Sequence, residues 1–147
     1  MKLFQTHICV VDDDPFYSDV LCKFLINEHF KVTRFASGFD VLDKLDKEPD
    51  IIFMDVHMDT INGLQASRIL KKRWPTVNIV LISSSNDAEI FLKEKSKDYN
   101  SFEPKSRELS GMLEQIKNHN NRRRLRAIFL TAILALISCV SIYFMAA

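Results

Sequence analysis

The sequence predicts an α/β fold in which helices cover both faces of a five-stranded, doubly wound parallel sheet. Short, almost wholly apolar runs alternate with amphipathic segments along residues 1–118, as expected of parallel strands that are buried on both faces. Polar residues follow these runs directly, which is where doubly wound folds place their chemistry. The chain has 147 residues with only 3 Gly and 4 Pro, and 47% of them are hydrophobic, so we expect an ordinary folded domain and not a disordered chain.

Five β–α units follow one another along the chain. The first apolar run is followed by Pro15, which suits the first turn of a helix with Asp14 as its cap. Ser37 is placed to cap the second helix, and Pro75 ends the third. The predicted strands are residues 7–11, 32–35, 51–54, 79–82 and the short run 101–102. The predicted helices are residues 15–25, 38–45, 64–72, 86–95 and 106–118.

Five polar side chains lie at the carboxyl ends of the predicted strands. They are Asp12 and Asp13 after the first strand, Asp55 after the third, Ser83 after the fourth and Lys105 after the fifth. Three carboxylates in one cleft repel one another unless a cation joins them, and oxygen ligands favour Mg²⁺ over zinc. A carboxylate beside Mg²⁺ can attack a phosphoryl group and form an aspartyl phosphate. Lysine and serine are the residue types that stabilise the transferring phosphoryl oxygens.

Several motifs in register connect these residues to a known family. The chain contains, in order, ICVVDDDP, then PDIIFMD with an Asn-Gly pair ending eight residues after its last Asp, then IVLISS and FEPKS. Along about residues 6–118 this pattern resembles the receiver domain of two-component response regulators. The resemblance implies a flavodoxin-like sheet with strand order 2-1-3-4-5 and Mg²⁺ as cofactor. It also implies phosphoryl transfer from a histidine kinase or histidine phosphotransfer protein.

The resemblance assigns a phosphoacceptor and a metal site to particular residues. Asp55 matches the phosphoacceptor. Asp12 and Asp13 match the acidic pair that holds Mg²⁺, and the backbone carbonyl of His57 matches a further ligand. With Asp55 these residues form the predicted metal site.

The remaining roles fall on the fourth and fifth strands. Ser83 matches the hydroxyl position and Lys105 the lysine that pairs with the phosphoryl group, so Asp55, Ser83 and Lys105 are the predicted catalytic residues. Phe102 lies three residues before the lysine and matches the aromatic switch that acts together with Ser83.

Three positions depart from the family pattern. Asp59 stands where receivers usually have Pro. Ser106 follows Lys105 where the family often has a cis proline, and a cis bond before any other residue costs roughly 2.5–4 kcal/mol. Residues 97–100 replace the usual Gly-Ala pair, which suggests a less tightly turned loop before the fifth strand.

The C-terminal end of the chain has a different composition. Residues 127–147 are 21 uncharged residues, and the preceding 122–126 contain four arginines. As a helix this run is about 30 Å long, enough to cross a bilayer core, and the positive-inside rule places the preceding residues in the cytoplasm. We therefore predict a receiver domain at 1–118, a basic juxtamembrane linker at 119–126 and a single-pass C-terminal anchor. The alternative is a buried core or oligomerisation helix.

Charge and cysteine usage exclude other classes. Residues 1–121 carry 16 bases and 19 acids, and such a slightly acidic domain is a poor binder of nucleic acid. The three cysteines are scattered and form no CxxC pair, which argues against a disulfide framework or a zinc site.

These observations predict a membrane-anchored, stand-alone receiver that is no enzyme beyond its own phosphorylation and dephosphorylation. We expect a conformational switch that acts on an unknown output protein through the predicted fourth helix (86–95), fifth strand (101–102) and fifth helix (106–118). The same face is a candidate homodimer surface. One alternative is a non-phosphorylated, receiver-like scaffold that localises a partner at the membrane. Another is a Mg²⁺-dependent phosphatase, which needs a second aspartate where this chain has His57.

Overall fold

The computed structural model describes residues 5–84, 97–106 and 109–146. At residues 110, 132 and 135–146 it describes the backbone but not the side chains. The chain divides into two compact units, Met1–Leu109 and Ser110–Ala147. The predicted helix at 86–95, and with it part of the predicted output and dimer face, lies outside the described residues.

The first unit contains a five-stranded parallel sheet. Its strands are β1 (His7–Val11), β2 (Lys31–Phe35), β3 (Ile51–Asp55), β4 (Asn78–Ser83) and β5 (Ser101–Pro104). Their order in the sheet is β2-β1-β3-β4-β5, and all four pairings are parallel. The predicted fold class and strand order are therefore confirmed.

Side-chain composition explains which strands are central. Every residue of β3 is buried, as are all but the first residues of β1 and β4. The edge strand β2 has the sequence KVTRF and no buried residue, since one of its sides faces no neighbouring strand. The wholly apolar runs thus occupy the middle of the sheet, where both faces are covered.

Three helices of this unit are described, namely α1 (Pro15–Asn27), α2 (Gly38–Lys44) and α3 (Gly63–Arg73). The Asp14 side chain caps α1 and the Ser37 side chain caps α2, as predicted. Helix α3 begins one residue before the predicted start because Asn62 and Gln65 form a capping box, in which each side chain accepts a hydrogen bond from the other's backbone N–H.

The second unit is built on one long helix. Helix α4 (Leu109–Ala146) is 38 residues long, so residues 119–126, predicted as a linker, are helical. Within the part of the chain that the structure describes, no helix combines the length and the apolar character needed to cross a membrane. The predicted transmembrane helix at 127–147 is therefore not shown, and the side chains at 132 and 135–147 lie outside the described residues.

Candidate functional site

Strand register brings the predicted polar residues to one edge of the sheet. Asp55 is the last residue of β3 and pairs with Ile82, next to Ser83 at the end of β4. Ser83 in turn pairs with Pro104 of β5, directly before Lys105. The carboxyl ends of parallel strands form one edge, so residues far apart in sequence become neighbours there.

Three carboxylates form a cluster at this edge. One oxygen from each of Asp12, Asp13 and Asp55 lies within 4.8 Å of the others. Asp12 is fully buried and Asp55 is only 3% exposed, whereas Asp13 is exposed. The structure thus brings together the three acidic residues that the sequence predicts as metal ligands.

Lys105 places its ammonium group between the two buried carboxylates. Its Nζ lies 2.8 Å from Asp12 Oδ2 and 3.0 Å from Asp55 Oδ2. The Lys105 backbone N–H donates to the carbonyl oxygen of Ser83 at 2.8 Å. That hydrogen bond continues the β4–β5 pairing and directs the lysine toward the acidic cluster.

Burial and neighbouring charges shift the pKa values of Asp12, Asp55 and Lys105 in opposite directions. Burial raises the pKa of Asp12, and the adjacent Lys105 only partly offsets this. Burial likewise raises the pKa of Asp55, against the lowering effect of Lys105. Burial lowers the pKa of Lys105, but its two carboxylate partners raise it above the usual lysine value. One lysine therefore does not fully stabilise the negative charge of this pocket.

The oxygen atoms of the acidic cluster fit a bound cation. Asp12 Oδ1 accepts a hydrogen bond from the Asp14 backbone N–H at 2.9 Å. Asp12 Oδ2 is buried and lies 2.8 Å from the Lys105 ammonium group. A cluster of three carboxylates that offers only oxygen ligands suits a hard divalent cation such as Mg²⁺. Asp12, Asp13 and Asp55 are the residues that would hold it.

The loop after β3 packs closely against Asp55. The His57 backbone N–H approaches Asp55 Oδ1 at 3.4 Å, and the His57 side chain is exposed. The ligand role of the His57 carbonyl stays a prediction. A Cβ atom on Gly63 would overlap the backbone carbonyl oxygen of Asp55, so only glycine fits where α3 begins. This close approach explains the glycine of the Asn-Gly pair that follows the predicted phosphoacceptor, and the capping box explains the asparagine.

The two predicted switch residues occupy different environments. Ser83 is fully buried, and Phe102 is partly buried against the hydrophobic core of the sheet. The structure describes a single conformation of both, so their switching roles stay predictions.

The three departures from the family pattern are also located. Asp59 is exposed, and the Lys105–Ser106 peptide bond is trans. Residues 97–100 stand in place of the usual Gly-Ala pair, and Asn100 forms two hydrogen bonds with Ile79 of β4. Its backbone N–H donates to the Ile79 carbonyl at 2.8 Å, and its Oδ1 accepts from the Ile79 N–H at 2.9 Å.

One aromatic residue of the site was not predicted from the sequence. Tyr17, in the first turn of α1, has its ring centroid 4.9 Å from Lys105 Nζ. The available signal was its position one helical turn after Asp13, at the helix end that begins beside the acidic cluster.

Comparisons with known proteins agree with this geometry. A family model described as the response regulator receiver domain matches residues 8–117. The DNA-binding transcriptional regulator NtrC of Proteus hauseri is 30% identical over 84 residues, which cover 56% of this chain and 18% of that protein. The regulatory protein TorR of Escherichia coli O157:H7 is 32% identical over 82 residues, covering 55% of this chain and 35% of that protein. The chain thus spans about a third of these relatives' length or less.

Solved structures show the same fold. A CheY-like receiver domain protein from Methanospirillum hungatei JF-1 has a TM-score of 0.76 at 18% identity, covering 83% of this chain and 98% of that one. The response regulator TrrA of Thermotoga maritima, solved in complex with Mg²⁺-BeF, has a TM-score of 0.71 at 22% identity, covering 78% of this chain and 99% of that one.

Replacing Gly63 by Ala should destabilise the first unit, because its Cβ would force apart α3 and the Asp55 backbone. We expect the free energy of unfolding to fall by about 1–3 kcal/mol, measured by urea denaturation. Lys72→Ala, an exposed change on the same helix, is the control and should change it by less than about 0.5 kcal/mol. Equal stability of the two variants would contradict the packing argument.

Mg²⁺ should stabilise the folded protein at pH 7.5 but not at pH 4. Burial raises the pKa of Asp12 and Asp55, so as the pH falls toward these raised values protons displace the cation. At a Mg²⁺ concentration about 100-fold above Kd, the gain at pH 7.5 is about 2.7 kcal/mol, measured as the difference between unfolding in Mg²⁺ and in EDTA.

Asp13→Asn tests this metal site cleanly, because exposed Asp13 makes none of the ion pairs to Lys105. The variant should fold normally and lose most of the Mg²⁺ effect. An undiminished Mg²⁺ effect in Asp13→Asn, or the same effect at both pH values, would rule out the proposed ligands.

Proposed function

Because this chain belongs to the response regulator receiver domain family, we propose that it accepts a phosphoryl group on Asp55 in a Mg²⁺-dependent reaction. The observation that carries the proposal is the position of Lys105, whose ammonium contacts both Asp12 and Asp55 at the cluster of three carboxylates. An ammonium group that is shared by two buried acids can move toward the phosphoryl charge that is added at Asp55.

The reaction follows from the chemistry of these side chains. A carboxylate oxygen of Asp55 forms a bond to phosphorus while the bond from phosphorus to the donor, such as a phosphohistidine nitrogen, breaks. Lys105 balances the charge on the phosphoryl oxygens, and the Ser83 hydroxyl donates a hydrogen bond to one of them. When bound, Mg²⁺ would supply further positive charge for the same oxygens.

The phosphorylated state would then differ from the present one in its electrostatics. The added phosphoryl charge draws Lys105 away from its shared position toward the new oxygens, and Ser83 moves with it. Phe102, whose ring lies against the core, is the residue we propose to transmit this change.

We further propose the partners that this chemistry implies. A histidine kinase or histidine phosphotransfer protein supplies the phosphoryl group, and an output protein reads the switched surface by direct contact. In this proposal the chain acts as a phosphoacceptor and not as an enzyme with its own substrate. The matched relatives are longer proteins, so their whole activities are not transferred to this chain.

A membrane anchor is proposed for residues 127–147, with the receiver domain on the cytoplasmic side. Support comes from the sequence, where 21 uncharged residues follow a cluster of four arginines. It also comes from the apolar side chains that α4 leaves exposed among its described residues, namely Leu125, Ile128, Phe129, Leu130, Ile133 and Leu134. A bilayer is one environment that would cover such residues.

Incubation with acetyl phosphate and Mg²⁺ should produce a phosphorylated species that runs more slowly on a Phos-tag gel. Asp55→Asn should abolish it, and Lys105→Met should slow its formation by about 10²-fold, since one positioned charge is lost. Asp59→Asn removes an exposed acid of the same loop and serves as the matched control with unchanged labelling. No labelling of the wild type under conditions that label a known receiver would favour the scaffold alternative.

The anchor is tested by carbonate extraction of membranes from cells that express the full chain. We expect the wild type in the pellet and the double variant Ile133→Asp/Leu134→Asp in the supernatant, because each Asp within the span opposes insertion, by up to roughly 2.5–3.5 kcal/mol at the helix centre. Ile26→Asp changes an exposed apolar residue of α1 and should leave the protein in the pellet. Wild-type protein in the supernatant would reject the anchor.

A further inference from the structure

The aromatic ring of Tyr17 contacts the lysine at the centre of the site. Its centroid lies 4.9 Å from Lys105 Nζ, within the distance at which a cation is attracted to the face of an aromatic ring. The Lys105 side chain is only 11% exposed, so little water screens this attraction. Two carboxylates and one ring therefore surround the ammonium group.

Helix α1 holds Tyr17 in this position. The Asp14 side chain accepts hydrogen bonds from the backbone N–H groups of Phe16 at 2.9 Å and Tyr17 at 3.2 Å. This cap fixes the first turn of the helix directly after the acidic pair. The same short segment thus supplies two predicted metal ligands, a helix cap and the ring that covers Lys105.

The hydroxyl group of Tyr17 does not explain its place in the site. Among the described residues, the buried Tyr17 hydroxyl oxygen has no hydrogen-bond partner. Phenylalanine would present the same kind of ring face to Lys105. The contact that connects Tyr17 to the site is therefore its ring face, which lies under the Lys105 ammonium group.

We propose that Tyr17 is a positioning residue whose ring holds the Lys105 ammonium over the acidic pocket, where it meets the incoming phosphoryl group. This inference rests on the proposed phosphoryl transfer to Asp55. The carboxylates of Asp12 and Asp55 draw Lys105 inward, and the ring closes its remaining side. The ammonium stays directed at the pocket before transfer and has only a short distance to move afterward.

Two substitutions at Tyr17 separate the ring from the hydroxyl group. Tyr17→Leu keeps a large apolar side chain and removes the ring face, whereas Tyr17→Phe keeps the ring. We expect Tyr17→Leu to slow labelling by acetyl phosphate about 2- to 30-fold, the range that corresponds to the strength of a cation–π contact. Tyr17→Phe should label at the wild-type rate. In a Lys105→Met background, Tyr17→Leu should have no further effect.

A second measurement needs neither metal nor phosphodonor. In NMR spectra of the full chain in detergent micelles, the ring current of Tyr17 should shift the Lys105 ε-methylene protons upfield. That shift should persist in Tyr17→Phe and disappear in Tyr17→Leu.

The possible results distinguish the two proposals. Absence of wild-type labelling would reject the phosphoacceptor function, while the NMR shift would still report whether the ring holds Lys105. Tyr17→Phe labelling as slowly as Tyr17→Leu would overturn the ring mechanism in favour of the hydroxyl group. Wild-type labelling by Tyr17→Leu, or unchanged Lys105 proton shifts in that variant, would also overturn it.

Discussion

The arrangement of the site depends on one lysine that is shared by two buried carboxylates. Without Lys105, Asp12 and Asp55 would place two negative charges side by side in a pocket that excludes most water, which is strongly unfavourable. With it, the pocket tolerates ionised acids but retains an excess of negative charge, because the pocket holds three carboxylates and one lysine. That excess of negative charge makes the pocket receptive to a divalent cation.

The fold imposes this arrangement through strand register. The pairing of β1 with β3 and of β4 with β5 ends all four strands at the same edge. The backbone of Gly63 packs against Asp55, and Asn62 starts α3 immediately beside it. The Asp55 carboxylate is thus held by a rigid strand on one side and by a capped helix on the other, which keeps its geometry defined.

Much of the sheet and of the acidic cluster was predictable, because both depend on local patterns. Apolar runs such as IIFM and IVLI are long enough to identify buried strands, and an Asp directly after such a run has only one edge of the sheet at which to lie. The two hydrogen bonds between Asn100 and Ile79 were not predictable. One of them uses the Asn100 side chain, and no local sequence pattern indicates which residue of β4 that side chain will contact.

By itself the sequence determined the order of strands and helices and the types of residue at each strand end, because hydrophobic periodicity and helix caps are local properties of the chain. Only the tertiary structure decided that Lys105 contacts both Asp12 and Asp55, and that the ring of Tyr17 covers it. These contacts join residues that are far apart in the sequence. Their geometry is set by the packing of strands and helix together, which no single segment encodes.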